Sequence, residues 1–248
     1  FGVMDIDEDN RIIKFSEKPK NPEPIPGKPN KSLASMGIYV FSTKALFREL
    51  MKAKENPNSS HDFGKDIIPS MIQSGRVMAF PFCDPVTGGE AYWRDVGTVD
   101  SLWESNLELA DVNPELDLYD AAWPIWTNQE QVAPAKFVFD DDGRRGYAVD
   151  SLIAGGCIVS GSRVKHSILF PRVKINSYCE IEDSVLFPSV EVGRNCKIRR
   201  ALIDRRCKIP EGTVIGHDAE MDKARFHVSP KGVVLVTPDM LGQDDVYG

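Results

Sequence analysis

Three short stretches in the first part of the chain carry residue types suited to binding a phosphorylated sugar. Gly2 lies in an apolar run, where a glycine lets a ligand approach the backbone, although a packing or turn glycine is the simpler interpretation. Glu17 and Lys18 precede Pro19. A carboxylate can accept from sugar hydroxyls and an ammonium can hold a phosphate, whereas a solvated ion pair needs neither ligand. Ser35 could donate to the same ligand or satisfy a strand edge.

A fourth stretch, 92–97, packs an aromatic residue, a base, an acid and a glycine ahead of a predicted helix. Asp95 could bind a divalent metal together with phosphates, or simply begin a turn. Trp93 could form the floor of a sugar site or belong to the core. His61 and Asp62 resemble a catalytic pair, but Asp62 is also a natural helix cap. Together these stretches indicate sugar-phosphate or nucleotide-sugar chemistry.

Composition and charge narrow the class of protein. The 248 residues are 42% hydrophobic and 27% charged, which is typical of a globular protein and excludes a membrane-spanning one. The net charge of −7 argues against a nucleic-acid binder. Residues 156–216, however, carry eleven basic and six acidic side chains, so we expect an anionic ligand near this basic part. The five cysteines form no CxxC pair, which favours buried reduced thiols in a cytoplasmic protein.

The elements that must position these residues alternate between strands and helices in the first half, which predicts an α/β sheet layer. We predict strands at 1–6, 12–15, 33–41 and 76–82. Helices are predicted from Ser42 or Thr43 to about Ala53, after the cap Asp62, and after the cap Thr98. The predicted division of the chain is a first domain at 1–112, a linker at 113–150 and a second domain at 151–248.

The second half repeats itself every seventeen residues. The shift puts 171–175 on 188–192, Cys179 on Cys196, Val192 on Ile209, and Ile175 on Ile158. Apolar residues recur every five or six positions within a unit, which predicts a parallel β-helix of about four coils at roughly 152–216, of the left-handed type. The side chains predicted to fill its interior are Val173, Ile175, Ile181, Val190, Val192, Ile198, Ile209 and Ile215.

The ordered set of motifs resembles the bacterial glucose-1-phosphate adenylyltransferase (ADP-glucose pyrophosphorylase) family over nearly the whole chain. The motifs are FGVM at 1–4, EKP at 17–19, LASMGIYVF at 33–41, SHDFGKDIIP at 60–69, YWRDVGT at 92–98, PAKF at 134–137 and IPEG at 209–212. The resemblance implies a partial Rossmann-like nucleotidyltransferase domain followed by a left-handed parallel β-helix, in a homotetramer that makes ADP-glucose and pyrophosphate from ATP and glucose 1-phosphate for glycogen synthesis.

The resemblance also implies roles for individual residues. Gly2, Glu17, Lys18, Ser35 and Trp93 would bind glucose 1-phosphate. Lys18 and Asp95 would be catalytic, and Asp95 would be one of two aspartates that hold Mg²⁺. Arg205 stands where the family places an arginine that binds anionic allosteric effectors, although a solvated coil corner explains it as well. The family's Gly-rich nucleotide loop and second metal aspartate are expected upstream of residue 1, so this chain alone is expected to lack full activity.

Three other functions remain open at this point. A sugar nucleotidyltransferase that uses UTP or TTP shares the EKP motif, and the base-selecting residues are expected upstream. A β-helix acyltransferase would need a histidine between coils, for which His166 and His217 are the candidates. A regulatory module would have the same fold but would not catalyse a reaction.

Overall fold

The computed structural model describes residues 2–85 and 87–244, so the predicted strand residue Phe1 lies outside the described residues. The chain forms two compact units, which we call the first unit (Phe1–Ala91) and the second unit (Tyr92–Gly248). None of the helices in the described part of the chain has the length and apolar character needed to cross a bilayer.

A three-stranded antiparallel sheet organises the first unit. The strand β1 (Gly2–Ile6) lies between β2 (Ile12–Glu17) and β3 (Leu33–Ala34). The turn from β1 to β2 is held by Asp7, whose carboxylate accepts the backbone N–H groups of Asp9 and Arg11. The antiparallel register makes Gly2 and Glu17 cross-strand partners, and this brings two of the predicted site residues together.

The predicted strand at 33–41 is wrong beyond Ala34. Gly37 adopts φ +71°, which ends an extended conformation, and its N–H donates to Ser35 Oγ instead of to a neighbouring strand. Two apolar residues of this segment are exposed: Ile38 keeps 74% of its surface and Val40 keeps 98%. The apolar alternation that indicated a buried strand therefore belongs to a segment that pairs with no strand among the described residues.

The predicted strand at 76–82 is also wrong, because only an isolated bridge between Arg11 and Met78 forms there.

Helix α1 (Thr43–Glu55) begins after Ser42 and confirms the predicted start. Asp62 caps the next element by accepting the N–H of Lys65, which confirms the predicted cap. That element begins with one π-helical turn, Phe63–Ile67, and continues as α2 (Ile68–Ser74).

Helix α3 (Val99–Glu108) belongs to the second unit. Thr98 and Ser101 form a reciprocal capping box, which confirms Thr98 as the cap. Trp103 and Leu107 are buried against apolar residues of the β-helix, among them Val185. The Trp103 indole N–H also donates to the backbone carbonyl of Asp183, which fixes the rotation of the helix about its axis.

The rest of the second unit is a parallel β-helix with three faces, each a parallel sheet. The first sheet contains Lys136–Val138, Ile158–Ser160, Lys174–Ile175, Glu191–Val192 and Lys208–Ile209. The second contains Tyr147–Val149, Arg163–Lys165, Glu180–Glu182, Lys197–Arg199 and Val214–Ile215. The third contains Leu152–Ile153, Ile168–Leu169, Val185–Leu186, Ala201–Ile203 and Val234–Val236, with His227–Val228 antiparallel at its edge. These strands extend beyond the predicted 152–216; the left-handed sense stays a prediction.

The corners of the coils explain how so short a repeat can turn three times. Residues with left-handed backbone recur at spacings of sixteen or seventeen along each corner. They are Gly156, Arg172, Ser189 and Arg206 at one corner, Gly161, Tyr178, Asn195 and Gly212 at another, and Asp150, His166, Asp183 and Arg200 at the third. One positive φ per corner turns the chain onto the next face without a longer loop, so neighbouring coils stay in register.

The interior of the β-helix confirms the repeat and corrects its first step. All eight side chains predicted to fill it are at most 3% exposed. Ile175, however, pairs with Val159 and not with Ile158, because the coil that begins at Ile158 is one residue shorter at the corner that contains Gly161. Val159 is completely buried and Ile158 is 37% exposed. Four of the five free cysteines are buried as expected, whereas Cys83 is exposed.

Side chains cover the last coil. The amide of Gln243 donates to the carbonyl of Lys208 and accepts its N–H, as a further strand would. The Asp222 carboxylate on helix α4 (Ala219–Arg225) accepts the N–H of Gly216. A short 3₁₀ turn, Asp239–Leu241, precedes Gln243. The open end of two sheets is thereby closed, which removes a template for strand addition. A separate hairpin, Asp140–Asp141 with Arg144–Arg145, projects from the first coil.

The interior packing generates a paired test of the repeat. Ile198→Ala removes a side chain that is 1% exposed, so the free energy of unfolding should fall by about 2–5 kcal/mol. Ile158→Ala makes the same chemical change at an outward position and should cost about 1 kcal/mol or less. Urea denaturation of both variants measures the difference. Equal losses would contradict the corrected register.

Candidate functional site

A cavity of about 400 Å³ opens beside the sheet of the first unit. It contains three of the residues predicted to bind the sugar phosphate, Gly2, Glu17 and Ser35. The sheet brings them together: Gly2 pairs with Glu17 across β1 and β2, and the Gly2 carbonyl accepts the N–H of Ser35 at 2.8 Å. The other lining residues are Phe15, Gly37, Tyr39, His61, Asp62, Phe63 and Gly64.

Two glycines make room for the Glu17 carboxylate. A Cβ built on Gly2 would lie 2.3 Å from the Phe15 ring and 3.1 Å from Glu17 Oε2. A Cβ built on Gly64 would lie 3.2 Å from the same Glu17 oxygen and 3.3 Å from Asp62 Oδ1. Any larger residue at either position would crowd the ring and the carboxylate, so both glycines have a packing role here.

Hydroxyl groups line another part of the cavity. Ser35 Oγ and Tyr39 Oη lie 3.2 Å apart and form a hydrogen bond. The Tyr39 ring stacks on Phe63 with 5.7 Å between the ring centres, and Phe41 packs on the same ring. These contacts hold the irregular segment that follows Ser35 against the π-helical turn, and they fix the direction of the Tyr39 hydroxyl.

A loop, which we define as residues 59–64, completes the lining. His61 takes φ +57°, which is uncommon for a residue with a side chain, and its N–H donates to Ser59 Oγ. The Asp66 carboxylate accepts hydrogen bonds that hold this loop. The hydrogen bond from the Ser60 hydroxyl contributes most to lowering the pKa of Asp66. The π-helical turn begins within this loop, at Phe63, and such turns occur frequently at functional sites.

Glu17 and Lys18 can face one ligand only if the strand ends between them, because neighbouring residues of a regular strand point to opposite faces. β2 ends at Glu17, and Lys18 adopts φ +47°, so the strict alternation of side chains stops between them. Lys18 is exposed and does not belong to the lining of the cavity. Its predicted contact with a phosphate stays a prediction.

Asp95 and Trp93 lie in the second unit, so their predicted place beside Glu17 stays a prediction. Asp95 is exposed, and one of its oxygens accepts the N–H of Gly97. Arg94 between them binds Glu108 with two hydrogen bonds of 2.9 and 2.6 Å and stacks on Tyr92. Its pairing with carboxylates raises the pKa of Arg94, which therefore stays charged and holds this segment on α3.

The donor set around Asp95 fits a metal that takes few protein ligands. The described residues contain no group of three or more His, Cys, Asp or Glu side chains that could enclose a metal ion. Mg²⁺ commonly uses one or two carboxylates and keeps waters and substrate phosphates as its other ligands. An exposed aspartate such as Asp95 suits that mode of binding.

The remaining candidates lie on the β-helix. Arg205 is exposed at a coil corner, where its backbone N–H donates to Asp204. His166 Nδ1 lies 2.7 Å from Asp183 Oδ1, in a contact that fixes a corner of the coil. His217 is exposed near the last coil. A second cavity of about 490 Å³ lies under the Asp140–Arg145 hairpin and contains Glu180.

Sequence reasoning missed Tyr39, His61 and Gly64 as lining residues. Tyr39 was assigned to a strand, and His61 only to a superficial pair with Asp62. The signal that could have found them is the SHDFGKD string itself, because a glycine two residues after a capping aspartate leaves space beside the helix start.

Comparison with known proteins agrees with both halves of the fold. Residues 1–112 match the nucleotidyl transferase family model, and residues 133–236 match the model of the GlmU-like, C-terminal hexapeptide. The chain is 58% identical over 244 residues to glucose-1-phosphate adenylyltransferase 2 of Alkalilimnicola ehrlichii and 59% identical over 244 residues to the enzyme of Hydrogenovibrio crunogenus. The chain is therefore similar, over almost its whole length, to glucose-1-phosphate adenylyltransferases. Each alignment covers 98% of this chain and 58% of the relative, so the chain spans a little over half the length of these adenylyltransferases.

The close approach at Gly2 generates a prediction about the cavity. Gly2→Ala should displace the Phe15 ring and the Glu17 carboxylate, at a cost of roughly 1–3 kcal/mol in the free energy of unfolding. Gly75→Ala is the matched control in the same unit, since the nearest atom to its Cβ would be 3.4 Å away. Urea denaturation measures both, and an unaltered Gly2→Ala protein would refute the crowding argument.

Proposed function

We propose that this chain forms the sugar-phosphate-binding part and the β-helix of an enzyme that makes ADP-glucose and pyrophosphate from ATP and glucose 1-phosphate, for glycogen synthesis. The observation that carries the proposal is the meeting of Gly2, Glu17 and Ser35 in one cavity, in a chain 58% identical to a named glucose-1-phosphate adenylyltransferase. The cytoplasmic location expected from the sequence stays a prediction.

In this proposal each residue has a separate task. Glu17 accepts hydrogen bonds from glucose hydroxyls, Ser35 donates one, and Gly2 lets the sugar approach the backbone. Trp93 packs on the sugar ring. Lys18 holds the phosphate as a point charge and keeps its oxygen in place for attack on the α-phosphorus of ATP, from which pyrophosphate leaves.

Nucleotidyltransferases generally use a divalent metal, and we propose that Asp95 contributes one carboxylate to Mg²⁺ here. The metal neutralises charge on the phosphates when it is bound. Asp95 itself is already oriented by the N–H of Gly97, which leaves its second oxygen for a ligand. We further propose a homotetramer whose anionic effectors bind at Arg205, in keeping with the basic composition of 156–216.

The assay of the proposal is pyrophosphate release by the protein in its full length with ATP, glucose 1-phosphate and Mg²⁺. Lys18→Ala should raise the KM for glucose 1-phosphate about ten- to a hundredfold, because a charge-assisted contact to the phosphate is lost. The KM for ATP should stay within about twofold. Lys20→Ala, an exposed lysine two residues later, is the matched control and should change neither constant.

Three results would contradict the proposal. Equal effects of Lys18→Ala on both substrates would remove its assigned role. Turnover with UTP or TTP in place of ATP would move the protein to another sugar nucleotidyltransferase activity. Absence of pyrophosphate release with all three nucleotides would leave the non-catalytic module as the better account.

A further inference from the structure

The loop at 59–64 supplies four of the residues that line the cavity of the first unit, namely His61, Asp62, Phe63 and Gly64. Helical structure begins only at Phe63, so the first part of the loop has no backbone ladder to fix it. His61 also occupies the left-handed region at φ +57°, which a histidine adopts only when its surroundings hold it there. A contact from outside the loop must therefore determine its shape.

Asp66 makes that contact. Its Oδ2 accepts hydrogen bonds from Ser60 Oγ at 2.7 Å, from Ser59 Oγ at 3.2 Å and from the Asp62 backbone N–H at 3.2 Å. Ser59 Oγ in turn accepts the N–H of His61. One carboxylate oxygen thus holds the residues on both sides of the left-handed His61.

Asp66 is anchored by the helical turn to which it belongs and by the buried residues that follow it. Its own backbone N–H donates to the Asp62 carbonyl within the helical turn, and the next two residues, Ile67 and Ile68, are each only 3% exposed. The carboxylate therefore projects from a buried helix start, which is a rigid element, toward a loop that has little structure of its own. Asp66 is not itself among the lining residues.

From this geometry we infer that Asp66 is a positioning residue for the sugar-phosphate site: it holds the 59–64 loop in the conformation that closes the cavity around Glu17. This inference rests on the proposed function for the identity of the ligand. Asp66 acts through the loop, so its loss should weaken binding of the sugar phosphate and leave the other substrate unaffected.

The test compares three variants of the full-length protein. Asp66→Ala removes all three hydrogen bonds. Asp66→Asn keeps one carbonyl oxygen that can accept them, without the charge. Asp7→Ala is the matched control, because Asp7 is a carboxylate of similar burial in the same unit that holds the β1–β2 turn by two backbone N–H groups, away from the cavity.

Asp66→Ala should raise the KM for glucose 1-phosphate roughly tenfold or more, with the KM for ATP within about twofold. Asp66→Asn should recover most of the loss, and Asp7→Ala should leave both constants within about twofold of the unmodified protein. The inference is overturned if Asp66→Ala and Asp7→Ala have the same effect. It is also overturned if Asp66→Ala raises both KM values alike.

Hydrogen exchange separates failure of this inference from failure of the proposed function. The backbone amide of Asp62 donates to the Asp66 carboxylate, and the amide of Lys65 donates to the carboxylate of Asp62. Both amides should therefore exchange faster in Asp66→Ala and at an unchanged rate in Asp7→Ala. If the unmodified protein makes no ADP-glucose but these amides respond as stated, only the proposed function fails. Unchanged exchange in Asp66→Ala refutes the positioning role whatever the activity.

Discussion

The β-helix depends on one constraint: the chain must return to the same lateral position after each coil. With strands of two or three residues, a coil has few backbone hydrogen bonds of its own, and its strands pair almost entirely with the coils on either side. One left-handed residue at each corner meets the constraint in sixteen or seventeen residues. Because successive coils are in register, their aliphatic side chains stack inside the β-helix. The same register forms the third sheet, against which α3 packs.

The coil that begins at Ile158 shows how much the constraint tolerates. It is one residue shorter than the coils that follow it, and Gly161 at its corner, with φ +51°, absorbs the difference. The consequence is local: Val159 takes the interior position that the repeat assigned to Ile158. Later coils keep the seventeen-residue spacing, as the pairing of Val192 with Ile209 illustrates.

The repeat could be predicted from sequence because the residue at each buried position can be compared with the residues seventeen positions before and after it. The strand predicted at 33–41 had no such cross-check. Its alternation was real, but Gly37 turns the chain and Val40 stays exposed, and only tertiary context decides whether an alternating segment finds a partner strand. Helix starts were predictable because the caps at Asp62 and Thr98 act locally.

The candidate site was predictable where it depended on strand ends. Gly2 and Glu17 meet because β1 and β2 are joined by a short turn. The residues contributed by the loop at 59–64 were harder to predict. Their placement depends on a carboxylate from the following helix and on aromatic stacking with Tyr39, and neither contact has a periodic signature in the sequence.

Binding of glucose 1-phosphate to the full-length protein, measured by calorimetric titration, tests the account most directly. Glu17 lines the cavity of the first unit, and Glu180 lines the larger cavity on the β-helix. We predict that Glu17→Gln weakens binding about tenfold or more, whereas Glu180→Gln changes it by less than about twofold. Unchanged binding in Glu17→Gln, or a loss confined to Glu180→Gln, would contradict the placement of the sugar-phosphate site.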